Sequence, residues 1–266
     1  MPPQDPFNAG LSLLKKATTL RIAAQLLGIA FSPLVFSESS LINDFWLFWL
    51  LPTFLTLAPA LFALDFVESG IDKLAKIDLI FGDLAKLIKW GHSLTLLLSW
   101  GLVGTIFSGL GLLAFGTLLA LSGGSATILT AAPFFQLVLQ YLGKSEYEPI
   151  LSIFSLLSFF SLLPFTACLI VILGLLITLY TLYSHTGVNG FRVGTILLSA
   201  EYLLLAFTSA LIKQTNIFLI LTLAATIIEL VGWLTIRDAI WESLVNASKE
   251  TTLFQPSYNT DTSEPH

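Results

Sequence analysis

Long apolar runs separated by short polar breaks dominate the chain. About 20 largely apolar residues are needed to cross the ~30 Å hydrocarbon core of a bilayer as a helix. Runs of that kind extend over residues 18–36, 45–64, 93–121, 163–183, 190–212 and 216–236. The first is entered by a short amphipathic turn over 7–16. The second carries Pro52 and Pro59, which should bend it, and Asn43 or Asp44 is placed to cap it. The fourth belongs to an apolar stretch over 150–183 that would reach ~51 Å as a straight helix, so Pro164 is expected to kink it and leave 163–183 as the span.

Two stretches depart from that pattern. Over 65–90, Leu74, Ile77, Phe81, Leu84 and Ile88 recur at intervals of three and four, while Asp72, Lys73, Lys76, Asp83, Lys86 and Lys89 take other positions. This spacing predicts an amphipathic helix, either interfacial or a solvated connector. The stretch 126–142, after Gly123-Gly124, contains Pro133, Gln136 and Gln140. It reads as a short span, a re-entrant segment or an interfacial helix. The expected fold is therefore an all-α polytopic bundle of about six spans, or seven if 126–142 crosses. One transmembrane domain covers 1–246, and a polar, disordered tail covers 247–266.

Composition supports the pattern. The chain has 266 residues, of which 55% are hydrophobic and 11% charged; soluble domains average about 45–50% and 25%. Mean hydropathy is +0.86. With 12 Lys+Arg against 17 Asp+Glu and no basic tract, nucleic acid is not an expected partner. The single cysteine, Cys168, excludes an internal disulfide framework or a cysteine-built zinc site. Lys15, Lys16 and Arg21 before an apolar run resemble a signal peptide, but the charges come late and no small-x-small site follows. A retained first helix is the preferred reading.

Short cytoplasmic loops collect Lys and Arg. With six spans and a cytoplasmic N-terminus, 10 of the 12 basic residues fall inside, Arg21 among them; only Lys144 and Lys213 fall outside. Trp90, Trp233 and Trp241 then mark the inner interface, and Trp46 and Trp49 the outer. The expected location is the cell membrane, with both termini cytoplasmic.

Ionisable residues inside apolar spans cost roughly 2.5–3.5 kcal/mol on insertion scales, so they are the first candidates for chemistry. Glu201, followed by Tyr202, lies near the centre of the fifth run and Glu229 in the sixth. In an antiparallel hairpin they are expected roughly 8 Å apart in depth, along one proton or cation path rather than as a tight dyad. The alternative is a protonated glutamate bonded to a neighbouring helix. His92 and His185 are weak haem-ligand candidates, with interfacial anchoring as the alternative. Asp65 and Glu68 are expected to be solvated. Gly101, Gly104, Gly109, Gly111 and Gly116 mark the third run as a packing helix. No phosphate loop, nucleophile elbow or metalloprotease motif is present, and no cofactor is expected. Asn246-Ala247-Ser248 matches a glycosylation triplet by chance.

Gly10-Leu11 with Lys15-Lys16 opens the first helix, Gly190-Phe191-Arg192-Val193-Gly194 opens the fifth, and Gly232-Trp233 lies in the closing hairpin. These features resemble archaeal multi-pass membrane protein families of unknown function, over the first 30 residues and the last 60. The resemblance implies a helical membrane fold and brings no activity or catalytic residue. The leading expectation is a scaffold or accessory subunit without a catalytic centre. Its partners would be the bilayer and a protein or second copy held through the glycine-rich third helix and 65–90. A small proton- or cation-linked transporter using Glu201 and Glu229 is the first rival, and a haem-binding electron-transfer subunit the second.

Overall fold

The computed structural model describes residues 5–36, 46–103, 124–132, 169–209 and 215–253; at 46–50, 94–103, 209, 215 and 248–253 it describes the backbone alone. The described residues form seven helices and no strand: α1 (Pro6–Phe36), α2 (Trp46–Leu74), α3 (Leu79–Val103), α4 (124–132), α5 (Leu169–Thr186), α6 (Asn189–Ser209) and α7 (Thr215–Leu253). Five of them are long and apolar enough to cross a membrane.

Local chemistry fixes the helix starts. Asp5 caps α1 by accepting the Phe7 N–H at 3.2 Å, and Pro6 takes the first helical position, where its missing N–H costs nothing. The amphipathic turn over 7–16 is thus the beginning of α1 itself. Likewise α2 does not stop at Leu64 but continues to Leu74. The expected amphipathic helix over 65–90 is divided by a turn at 75–77, because Asp78 starts a new helix by accepting the Ile80 N–H at 3.0 Å. The expected apolar face survives the division: Leu74, Phe81, Leu84 and Ile88 are buried, and Ile77, on the turn, is exposed. At the other end α7 runs on to Leu253, into the stretch read as tail. Ile236, Ala239, Ile240 and Ser243 give it a buried stripe at helical spacing beyond the expected end of the span. Residues 254–266 lie outside the described residues.

One apolar cluster joins every described helix except α4, with Leu11, Ile71, Phe81, Leu182, Phe191 and Ile236 among its buried members. Glycines set how closely its helices approach. A Cβ on Gly10 would stand 2.9 Å from the Gly70 carbonyl oxygen and 2.8 Å from Leu74 Cγ, so α1 and α2 meet backbone to backbone. The same contact places the start of α1 beside the end of α2. His185 at the end of α5 reaches Asp78 before α3, and Gly190 at the start of α6 packs on Ala239 of α7. These termini therefore share one end of the bundle. Of the glycines expected to pack the third run, Gly101 lies in α3 where the backbone alone is described; Gly104, Gly109, Gly111 and Gly116 lie outside the described residues.

The described part of α4 occupies an unusual place. Its second residue, Ser125, meets Glu229 and Gln25, and Ala126 packs on Gly28. Leu129 and Ala132 then cluster with Val35 of α1 and with Phe218 and Leu219 of α7, while Thr130 Oγ1 lies 3.2 Å from Thr56 Oγ1 of α2. Thus α4 begins partway along α1 and runs beside it toward Phe36, buried on the way. This is the only part of 126–142 that is described, and it does not lie on the bundle surface.

Gly10→Val should separate α1 from α2 and cost about 1–3 kcal/mol, as overpacking does. Gly82→Ala, whose Cβ would be 3.6 Å from the Ala75 methyl, should cost nothing and gain up to about 1 kcal/mol of helix propensity. Thermal unfolding of the two variants in detergent, beside the wild type, checks the contrast.

Candidate functional site

Four helices bring polar side chains together inside the bundle. Along α7, Glu229 and Trp233 are one turn apart, and the indole Nε1–H donates to Glu229 Oε1 at 3.0 Å. From α4, the Ser125 N–H and the Ser125 hydroxyl both donate to Glu229 Oε2, at 2.9 and 2.7 Å. From α1, Arg21 Nη1 stands 4.0 Å from Glu229 Oε1, and its guanidinium lies 5.9 Å from the Trp233 ring centre. Gln25 Oε1, one turn beyond Arg21, lies 3.5 Å from the Ser125 hydroxyl, whose one proton goes to Glu229. Arg21 is 4% exposed, Glu229 1% and Gln25 0%.

The start of α4 is shaped around this carboxylate. Gly124 has φ of +70°, a left-handed conformation that only glycine adopts freely. A Cβ there would stand 2.5 Å from Glu229 Oε2. Glu229 thus acts as an N-terminal cap delivered from another helix, and it meets the positive end of the α4 dipole. Every group bonded to it is a donor, which suits the ionised form. At an effective dielectric near 20, a charge pair at 4 Å gains about 4 kcal/mol before desolvation. Taking each ion out of water costs several kcal/mol, so Arg21 alone does not make the buried charge stable. Hydrogen bonds to a charged group contribute about 1.5–3 kcal/mol each, and here they decide the balance.

Glu201 has equal burial and opposite company. It is 0% exposed, and neither carboxyl oxygen has a hydrogen-bond partner among the described residues. The charged groups that act on it are Glu229 and Arg21. The α6–α7 register explains the proximity. Gly190 packs on Ala239, Gly194 on Ile236, and Leu198 on Gly232. The next step of three in this antiparallel pair sets Glu201 level with Glu229. The expected offset of roughly 8 Å along the hairpin is therefore corrected: glycine contacts, not the length of the connecting turn, set the register. The two carboxyls are neighbours, yet no hydrogen bond joins them. Two further buried polar atoms border the cluster without partners, Gln25 Nε2 and, in the first turn of α4, Thr127 Oγ1.

The other expected site residues lie elsewhere. Tyr202 is half-buried at the edge of the apolar cluster. His185 Nε2 lies 2.9 Å from Asp78 Oδ2, and its ring tilts against Phe81. His92 Nδ1 lies 3.8 Å from Glu68 Oε2, and Lys89 Nζ lies 3.5 Å from the other oxygen, Oε1. Asp78, just before α3, and His92 on it are 14 residues apart, about 21 Å at 1.5 Å per residue. With His185 held at Asp78, the two imidazoles cannot meet on one iron, so this geometry does not form the haem-ligand pair. Glu68, expected to be solvated, is half-buried in an ion pair, whereas Asp65 is exposed. Among the described residues no three His, Cys, Asp or Glu side chains converge as a metal site. Cys168 and His266 lie outside them.

Two assignments made from position along the sequence are overturned. Arg21 was counted with the cytoplasmic loop charges, and it is buried because Glu229 and Trp233 receive it. Trp233 was assigned to the inner interface, and it is 2% exposed because its N–H is committed to Glu229. Trp90 and Trp241 are exposed as an interfacial belt requires, with Lys15 Nζ 3.9 Å from the Trp241 ring centre. Gln25, Ser125 and Gly124 were not singled out as site residues. The one available signal was Arg21 and Gln25 lying one helical turn apart at the edge of an apolar run.

No protein family, curated protein or solved structure matches this chain. The functional reading therefore rests on the residues themselves.

Removing the buried cation should be the most damaging single change at the cluster. Arg21→Met should cost about 3–5 kcal/mol, as breaking a buried pair does. Trp233→Phe, which loses one hydrogen bond to a charged acceptor, should cost about 1.5–3 kcal/mol. Denaturation of each variant in mild detergent measures this order. Equal and negligible losses would show that Glu229 does not depend on these partners.

Proposed function

We propose that this chain is an integral, multi-pass protein of the cell membrane that moves protons or small cations, with Glu201 as the exchanging group and Glu229 as its fixed neighbour. The single observation that carries the reading is a fully buried carboxyl group, Glu201, with both oxygens unpartnered among the described residues, beside a second carboxyl and one arginine. A structural role would have satisfied those oxygens, because unmet polar groups away from water cost free energy and bring no packing in return.

The distribution of polarity supports the bilayer. Phe54, Phe62, Ile196, Leu203, Phe207 and Ile220 face outward, while Arg21, Gln25, Glu201 and Glu229 face inward. This reverses the usual order of a soluble protein. Lys15, Lys16, Lys73, Lys76, Lys86, Lys89, Arg192 and Arg237 gather toward the end where α1 starts and α2 stops, which favours a cytoplasmic face there. The reading counts six crossings, with α4 as a re-entrant half-helix. A half-helix whose N-terminus meets charge partway through a bundle is a recurrent way of building transporter sites.

Proteoliposomes holding the purified chain and an internal pH-sensitive dye test the proposal under an imposed proton gradient, with Na+ and K+ gradients as parallel arms. Flux should fall at least tenfold in Glu201→Gln and Glu229→Gln and stay unchanged in Gly82→Ala. Equal flux in all three variants rejects transport through this cluster and leaves the scaffold reading in its place.

A further inference from the structure

We propose that the exchangeable ion of this cluster is a single proton carried by Glu201, and that Arg21 is a shared counter-ion that moves from Glu229 toward Glu201 when the proton leaves. The inference rests on the reading of the cluster as an ion-handling site and names the ion.

Charge counting gives the first argument. Among the described residues, the charged groups acting on Glu201 are Arg21 from α1 and Glu229 from α7. One cation between two carboxyls is electrically neutral with one proton bound. The donors select which carboxyl holds it. Glu229 receives three N–H or O–H bonds, and Glu201 receives none. An ionised carboxylate stripped of water and of donors is costly, whereas the neutral acid is tolerated in the same place.

Ligand supply gives the second. Metal cations such as Ca2+ require about six or more oxygen ligands. Both oxygens of Glu229 are already occupied by donors, and no group of three acidic, His or Cys side chains exists among the described residues. Arg21 adds a fixed positive charge beside the same carboxyls and repels a second cation. A proton needs one oxygen, which Glu201 supplies.

The third argument is the looseness of Arg21. At 4.0 Å from Glu229 Oε1 it lies beyond hydrogen-bonding reach, and that oxygen is taken by Trp233. Arg21 is held by charge rather than by a fork of bonds, so another carboxylate can attract it at small cost. When the O–H bond of Glu201 breaks, the electron pair stays on its carboxylate and the proton passes to water. Arg21 then neutralises the new charge, while Ser125, Trp233 and the α4 N-terminus continue to hold Glu229. Gln25, one turn from Arg21 with a buried and unpartnered Nε2, offers a spare donor to the rearranged cluster.

Infrared difference spectra of the full chain in lipid nanodiscs, recorded between acidic and alkaline buffer, test the assignment. The wild type should show the C=O stretch of a protonated carboxylic acid that disappears on deprotonation. The band should be missing in Glu201→Gln, confined to more acidic buffer in Glu229→Gln, where Arg21 is left with Glu201 as its one carboxylate to balance, and moved in frequency but present in Glu201→Asp. Trp233 emission, obtained by subtracting the Trp233→Phe spectrum, should change in step with the band and stay constant in Glu201→Gln. A band that survives Glu201→Gln, or none in the wild type at any pH, overturns the proton assignment. Constant Trp233 emission while the band titrates overturns the counter-ion exchange. The result is separable from flux: a titrating Glu201 in a chain that moves no protons upholds the assignment and rejects transport, and flux without a titrating Glu201 does the reverse.

Discussion

The carboxylate of Glu229 holds three helices at one point, and much of the polar interior is arranged to make it tolerable there. It needs donors because it has left water. Trp233 supplies one from its own helix, α4 brings a backbone N–H and a hydroxyl, and α1 brings the balancing charge. Each partner has a local cost of its own. A tryptophan is taken from the surface, a glycine is held in a left-handed conformation, and α4 starts in the interior of the bundle. These departures from ordinary helix packing share one cause.

Close approach by small residues is the second constraint. Between helices in lipid, burial of apolar surface gives little net gain, so association depends on van der Waals contact at short range. Gly10 with Gly70, Gly28 with Ala126, and Gly194 with Ile236 shape the α1–α2, α1–α4 and α6–α7 contacts. The last of these has an electrostatic result. It helps to fix the register that places Glu201 level with Glu229, so packing along the hairpin decides which of its buried carboxyls meet.

The helical class and the positions of most spans were legible because a 20-residue apolar run has few other solutions. The buried face of 74–88 was legible too, since period alone marks Leu74, Phe81, Leu84 and Ile88. Helix ends were less so. A polar stretch such as 237–253 continues a helix when one stripe finds a neighbour, and hydropathy does not record that. The importance of Glu201 and Glu229 could be read from the sequence, because acids are costly in apolar runs. Their partners could not. Arg21 looked like a loop charge and Trp233 like a belt residue, since both lie where those roles are common. Only the fold, which carries Ser125 about a hundred positions back from Glu229 to meet it, separates a buried partner from an interfacial one.

Arg21 also has a consequence for biosynthesis. Roughly two hundred residues separate it from Glu229, so the first helix leaves the ribosome with its guanidinium long before the last helix exists. Until then the guanidinium lacks the carboxylate that offsets its burial, and an unpaired buried charge costs several kcal/mol. Helix α1 is therefore held in a provisional state during translation, and its final packing waits for α7.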